Sequence, residues 1–384
     1  MGDPLFGNGV NFAVVVIVLV KTLVVFAALL VSVLLMIWFE RKVIARMQNR
    51  PGPNRTGPFG LLQSLADGIK VFFKEAFRPA GADRRIFKLA PYLSLIPAFI
   101  AFSVVPFGGT ITVAHHTTRL QLVDSPWGIL LVLMMSSIAV YGVMLAGWSS
   151  GSKYPLLGSV RASAQMVSYE AALGLSVATV VLLTGDLRTS AIVAAQHGSF
   201  LVHWNLIRAG IVPFIIFFIA ATAEMNRPPF DLVEAEEEIA GGYMVEYAGI
   251  GFALFYLAEF GNVITNSAII VTLFFGGPDG PRIAGHSIGI VWFLLKVICF
   301  LFAYVWFRAT LPRFRYDQLM DLGWKRLIPV ALGWLLVVAG FRTQDQWWGF
   351  VLFGVVVAGG LLLGRALAVG RQATLVEAET KKVV

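Results

Sequence analysis

Nine runs of apolar residues, separated by charged or Pro- and Gly-rich connections, leave this 384-residue chain little choice of environment. They fall near 12–39, 87–107, 127–150, 162–184, 209–225, 246–275, 286–307, 327–341 and 347–364. About 20 helical residues cross a hydrocarbon layer of roughly 30 Å, and most of these runs reach that length. The eighth is short, and Gly359, Gly360 and Gly364 cross the ninth. Composition agrees, with 58% hydrophobic and 14% charged residues and a mean hydropathy of +0.78, far outside the soluble range. The expected fold is all-α: a polytopic transmembrane helical bundle of about nine spanning helices. It forms a single transmembrane domain over 1–364, with a charged tail over 365–384. The first 20 residues lack a basic segment and a small-residue cleavage site, so the opening run is expected to be retained as a helix.

The net charge of +8 follows the topology. Most of the 30 Lys and Arg residues lie in the connections 40–86, 149–161, 226–245 and 308–326 and in the tail, all on one side of nine crossings. The positive-inside rule makes that side cytoplasmic. Basic balance therefore reports orientation, and no nucleic-acid partner is expected. One cysteine and five histidines supply no disulfide framework and no ligand set for zinc, haem or an iron-sulfur cluster, so no metal site is expected. His115-His116 reads as external loop and Cys299 as apolar packing.

Function is sought on the cytoplasmic side, where the connections are long. The first carries Glu40-Arg41-Lys42, Arg46, Arg50, Pro51-Gly52-Pro53-Asn54-Arg55 and Gly57-Pro58-Phe59-Gly60, a density of Pro and Gly that sets sharp turns. From Leu61 to Phe77, Leu61, Leu62, Leu65, Ile69, Phe72 and Phe73 recur at helical spacing. Gln63, Asp67, Lys70 and Lys74 fall elsewhere on the wheel, giving a cytoplasmic-side amphipathic helix at the interface. An anchor in lipid and a binding element fit that pattern equally, although an anchor leaves Asp67 without a task.

The second connection sets six acidic residues within fifteen positions, Glu224, Asp231, Glu234, Glu236, Glu237 and Glu238. Crowded carboxylates beside low dielectric suit proton exchange near neutral pH. A solvated acidic loop facing a basic partner accounts for the same pattern. Deep within the apolar runs the ionisable residues are few, Lys21, Glu170, Glu246, Glu259 and Lys296, with Glu40 and Glu224 near helix ends. A charge at a helix centre costs roughly 2.5–3.5 kcal/mol, so such groups face a polar interior and mark a pathway. Glu170 and Glu259 read as proton-transfer groups, and Lys21 and Lys296 as either structural partners to them or path residues. On one helix Glu246 and Glu259 would lie roughly 20 Å apart, too far for direct transfer.

These motifs resemble a known family. Gly52-Pro53-Asn54-Arg55, Gly57-Pro58, Gly60-Leu61-Leu62-Gln63, Ala66-Asp67 and Lys70 resemble the first signature of the H-type, quinone-site membrane subunits of respiratory complex I, the proton-pumping NADH:quinone oxidoreductase. The second signature is matched by Glu224, Asn226-Arg227, Pro229-Phe230-Asp231-Leu232, Glu234, Glu236, Glu238, Gly242, Glu246-Tyr247 and Ala258-Glu259. Arg161, Gln165, Ser168-Tyr169-Glu170, Arg308, Leu311-Pro312-Arg313 and Arg315-Tyr316-Asp317 extend the similarity over about 12–341. Met225 stands where the family usually has Thr, and Pro228 is one of several types found at its place. The run 347–364 exceeds the core of many members.

The resemblance implies a bacterial plasma-membrane subunit that walls a quinone chamber and couples quinone reduction to proton translocation. Arg50, Arg227, Asp231, Glu234, Glu236, Arg313 and Arg315 would line or gate the chamber. Asp67, Glu170, Glu224, Glu246 and Glu259 would begin the proton path. It implies no cofactor in this chain: quinone is the substrate, and FMN and iron-sulfur clusters sit in soluble partner subunits. Small membrane subunits, antiporter-like subunits and lipid complete the expected partners. The equivalent membrane component of an energy-converting hydrogenase would share the charged helices, and a self-sufficient ion transporter would share the buried charges but not the Pro-rich loops.

Overall fold

The computed structural model describes residues 3–6, 9, 11–113, 116–198, 202–232, 240–281, 289–343, 347–362 and 364–365. Glu234, Glu236, His115 and all of the tail beyond Arg365 lie outside the described residues. Every apolar run of the sequence forms a helix. They are α1 (Phe12–Met47), α3 (Arg84–Phe102), α4 (Gly128–Ser149), α5 (Lys153–Thr184), α8 (Ile211–Glu224), α9 (Ile250–Phe274), α10 (Gly289–Thr310), α11 (Tyr316–Arg342) and α12 (Trp347–Leu362). The amphipathic helix is α2 (Gln63–Phe73), with Leu65, Ile69, Phe72 and Phe73 exposed. Two short helices, α6 (Thr189–Ala195) and α7 (Asn205–Arg208), and one antiparallel hairpin, β1 (Thr110–Val113) with β2 (His116–Arg119), complete the described elements.

Seven of these helices are long and apolar enough to cross a membrane, while α8 and α12 fall short. The 14 residues of α8 rise only about 21 Å. Pro228 and Pro229 explain the early stop, because neither offers a backbone N–H to continue the ladder. The chain from Met225 to Leu232 is thus irregular and almost wholly buried, which apolar surroundings tolerate only where protein supplies the missing hydrogen bonds. Gln165 of α5, itself fully buried, does so. Its side-chain nitrogen donates to the carbonyls of Ala223 (2.7 Å) and Phe230 (2.9 Å) and to the Asn226 side-chain oxygen (3.2 Å).

The helices around this segment are layered by burial. In α9, 78% of the most apolar window is inside the protein, against 11% in α1, so α9 is the central helix and α1 lies at the edge of the chain. Phe217, Phe255, Phe260, Phe274 and Phe293 fill the core with Tyr169. The Tyr169 hydroxyl donates to the Leu319 carbonyl at 2.8 Å, fastening α5 to a helix that carries a π-helical turn at Gly323–Leu327.

Lys21 and Lys296 do not pair with the membrane carboxylates. Lys21 bonds Asp3 at 3.0 Å and Thr118 at 2.8 Å, tying the N-terminal turn to the hairpin. Lys296 donates to the carbonyls of Phe275 (2.7 Å), Gly277 (3.0 Å) and Asp279 (2.5 Å) and lies over the Trp204 ring, closing the end of α9. Both ammonium groups sit where loop oxygens are within reach and the interior carboxylates are not.

The segment 240–249 packs directly on the start of α5. A Cβ at Gly158 would stand 2.7 Å from the Gly242 Cα, whereas a Cβ at Gly174 meets nothing within 4 Å. Glycine costs a helix interior about 1 kcal/mol relative to alanine. Gly174→Ala is therefore expected to stabilise the purified protein by up to about 1 kcal/mol, and Gly158→Ala to destabilise it despite the same gain. Thermal melts of the two variants check this, and equal shifts would contradict the packing described.

Candidate functional site

The polar interior is organised by Arg227, which sits in the irregular segment after α8 and is 6% exposed. Its Nε lies 2.9 Å from a Glu259 carboxyl oxygen on α9, and its Nη1 lies 3.3 Å from the Glu40 carboxyl on α1. The guanidinium also lies 4.3 Å from the centroid of the Phe260 ring. Glu40 is held from its other side by Arg308 of α10. Two buried carboxylates are thus compensated by two guanidiniums from four separate segments. Asp231, four residues beyond Arg227 and equally buried, bonds Arg313 at 3.2 Å.

Glu40 and Arg308 form one wall of an open cavity of about 740 Å³. Arg41, Gln48, Arg50, Pro51-Gly52-Pro53 and Tyr256 complete most of its lining. The Pro- and Gly-rich connection is bent into this wall by local contacts. Lys42 donates to the Pro53 carbonyl at 3.1 Å and also bonds the Asn54 side chain, and Trp38 donates to the Phe59 carbonyl at 3.1 Å. Gly60, at φ +78°, lies so close to the Pro53 carbonyl that no side chain fits. Asp67 of α2 closes the arrangement by accepting from Arg41 at 2.6 Å and from Gln63 at 3.2 Å.

A second acidic group lies deeper. Glu170 of α5 accepts a hydrogen bond from Ser137 of α4, and Glu224, at the end of α8, faces Ser136 and lies within electrostatic reach of Glu170. Among the described residues neither carboxyl has an ion-pair partner. A cavity of about 10 Å³, room for about one water, is lined by Glu224, Ser136 and Asn266. The first cluster is therefore charge-balanced and the second is not, and in low dielectric a change in one carboxyl's charge is strongly felt by the other.

A family model described as NADH dehydrogenase matches residues 20–339. The chain belongs to this family. The H-type subunit of NADH-quinone oxidoreductase from Frankia casuarinae is 49% identical over 96% of this chain and 83% of the relative. Its counterpart from Frankia alni is similar at 49%, with the same coverage. The chain is accordingly a membrane subunit of an NADH-quinone oxidoreductase, an enzyme assembled with further subunits.

For this member of the NADH dehydrogenase family, the structure pairs Arg227 with Glu259 and Arg313 with Asp231, sets Arg50 in the cavity lining, and brings Glu170 near Glu224. Arg315 is not drawn in: it is exposed and pairs loosely with Asp317 at 3.7 Å, because it caps the start of α11. Glu246 is half-buried in the turn before α9, since Gly249 at φ +57° ends the loop and delays the helix to Ile250. It therefore does not share a helix with Glu259. Glu40, Arg308 and Tyr256 were missed by sequence reasoning. Glu40 reads as an interfacial charge beside Arg41-Lys42, yet α1 continues to Met47 and carries it inside. The helical pattern extending through Met47 was the signal that could have found it.

Breaking a buried pair leaves an uncompensated charge at a cost of about 3–5 kcal/mol. Arg227→Met is therefore expected to lower assembly of the complex sharply, while Arg227→Lys, which keeps the charge but not the fork, retains assembly and loses activity. Comparing complex yield on native gels checks this. Burial raises the Asp67 carboxyl, but hydrogen bonds from Arg41 and Gln63 and the Arg41 and Lys70 charges outweigh it and hold the group below the usual carboxylate range. The Arg41 link thus contributes above that range and is lost as pH falls through the lowered value. Proteolysis of the 48–62 loop is expected to accelerate only under that acid condition, and Asp67→Asn should make it fast at all pH values.

Proposed function

We propose that this chain forms the membrane wall of the quinone chamber of the complex and passes the electrical consequence of quinone reduction to a buried proton path. The observation that carries the reading is the adjacency of the 740 Å³ cavity to the Glu40–Arg308 pair and, behind it, to Arg227 and Glu259. A quinone head in that cavity takes two electrons and two protons, and the change of charge falls on residues whose mutual attraction is balanced. Electrons come from soluble partner subunits carrying FMN and iron-sulfur clusters. Arg50 lines the cavity, Asp231 pairs with Arg313, and Glu234 and Glu236 follow Asp231 in sequence. Glu170 and Glu224 are the first carboxyls of the path toward antiporter-like membrane subunits. The distribution of basic residues supports a cytoplasmic chamber side, and in this reading the membrane is a bacterial plasma membrane.

In this reading Arg227 is a bistable contact: a change in the charge or occupancy of the chamber shifts its share between Glu40 and Glu259. Glu259→Gln keeps the size and one hydrogen bond but removes the charge. Inhibitor-sensitive quinone reduction by the assembled complex is expected to fall about tenfold, equivalent to about 1.4 kcal/mol. NADH oxidation with an artificial acceptor upstream of quinone should persist. Wild-type quinone reduction in an assembled Glu259→Gln complex would overturn the assignment.

A further inference from the structure

The stretch 70–88, from the last turn of α2 to the first turn of α3, carries more positive charge than its surroundings use. Lys70, Lys74, Arg78, Arg84, Arg85 and Lys88 are six basic residues against the two acidic Glu75 and Asp83, a net charge of +4. All six are exposed, and among the described residues none forms an ion pair. Nearby carboxylates are engaged elsewhere. Asp67, one turn before Lys70, accepts from Arg41 and Gln63, and Asp83 caps α3 through the N–H groups of Arg85 and Ile86. Arg84 and Arg85 also open α3, the helix end at which the dipole disfavours cations.

Orientation in the membrane asks for basic residues at one end of the spanning helices, but not for the apolar side chains interleaved with them here. Phe72, Phe73 and Phe77 are 63%, 82% and 67% exposed, and Leu65 and Ile69 continue their face along α2. The frame that carries both sets is fixed. A Cβ at Gly249 would stand 2.8 Å from the Lys74 carbonyl, and one at Gly151 would stand 2.6 Å from the Gly81 carbonyl. The Asp83 N–H donates to the Ser149 carbonyl at 3.0 Å. The stretch is thus held where α3 and α9 begin and α4 ends, three helices long enough to span. That level is the boundary of the hydrocarbon layer.

We propose that this face binds anionic phospholipids, with the exposed phenylalanines among the upper acyl chains and the six cations on headgroup phosphates. An apolar face flanked by Lys and Arg at the boundary suits a helix lying in the interface plane, and a basic cluster there favours anionic over neutral lipid. An acidic soluble protein would answer the charges but leave the phenylalanines uncovered. The proposal stands apart from the quinone-chamber reading and does not depend on it.

The test uses the assembled complex in phosphatidylcholine vesicles carrying a trace of photoactivatable phosphatidylglycerol or, separately, photoactivatable phosphatidylcholine. Label on peptides spanning 63–92 is measured by mass spectrometry. Phosphatidylglycerol is expected to label them at least about fivefold more, the gain of roughly one cation near an anionic surface. The excess should shrink at high salt, which screens charges at the surface. Lys70→Gln/Lys74→Gln/Arg78→Gln should bring the ratio of the two lipids close to one. Should that variant not assemble, Arg84→Gln/Arg85→Gln takes its place, because it removes two cations that the α3 dipole disfavours. Equal labelling by both lipids in the wild type, or an unchanged ratio in the variant, would overturn the proposal. Label from neither lipid, with crosslinks from these peptides to another subunit, would overturn it in favour of protein docking.

Discussion

A single buried guanidinium, that of Arg227, holds the polar interior of this protein together. Its charge is placed in low dielectric by a helix that ends early, and it stays there because Glu40 and Glu259 flank it and Phe260 lies beneath it. The early end is itself a consequence of Pro228-Pro229, and the exposed backbone groups it creates are taken up by Gln165. Remove any one of these and the others lose their reason: without Gln165 the irregular segment has unpaired carbonyls, and without Arg227 two carboxylates repel in the core. Segments distant in sequence, around residues 40, 165, 227, 259 and 308, are thereby forced to one place.

The contrast between the two acidic groups gives this arrangement direction. Near the open cavity each carboxylate is matched by a guanidinium, so the cluster changes little until something alters the local charge. Deeper in, Glu170 and Glu224 have serine hydroxyls rather than cations as neighbours. A balanced cluster next to an unbalanced one is a physical means of sending an electrostatic event inward, because low dielectric lengthens the reach of each charge.

Much of this was legible in the sequence. Runs of apolar residues located every long helix, and the helical spacing of Leu65, Ile69, Phe72 and Phe73 located the amphipathic one. The cost of a charge in lipid singled out Glu170 and Glu259 before any contact was known. What pattern did not reveal was pairing. Lys21 and Lys296 looked suitable as partners for the membrane carboxylates, and only tertiary geometry gives Lys21 to Asp3 and Lys296 to backbone carbonyls. Glu40 was obscured because a helix end and a helix interior look alike where Arg41-Lys42 follows. The hairpin of Thr110–Val113 and His116–Arg119 was missed, being too short for alternation to show.

The central claim is that quinone chemistry at the cavity changes the protonation of carboxyls that no quinone touches. Infrared difference spectroscopy of the assembled complex, between oxidised and reduced quinone, measures this directly through the protonated-carboxyl stretch. The account predicts a carboxyl band in the difference spectrum that disappears, or shifts to a residual form, when Glu170 or Glu224 is replaced by Gln. A difference spectrum unchanged by both replacements would contradict it.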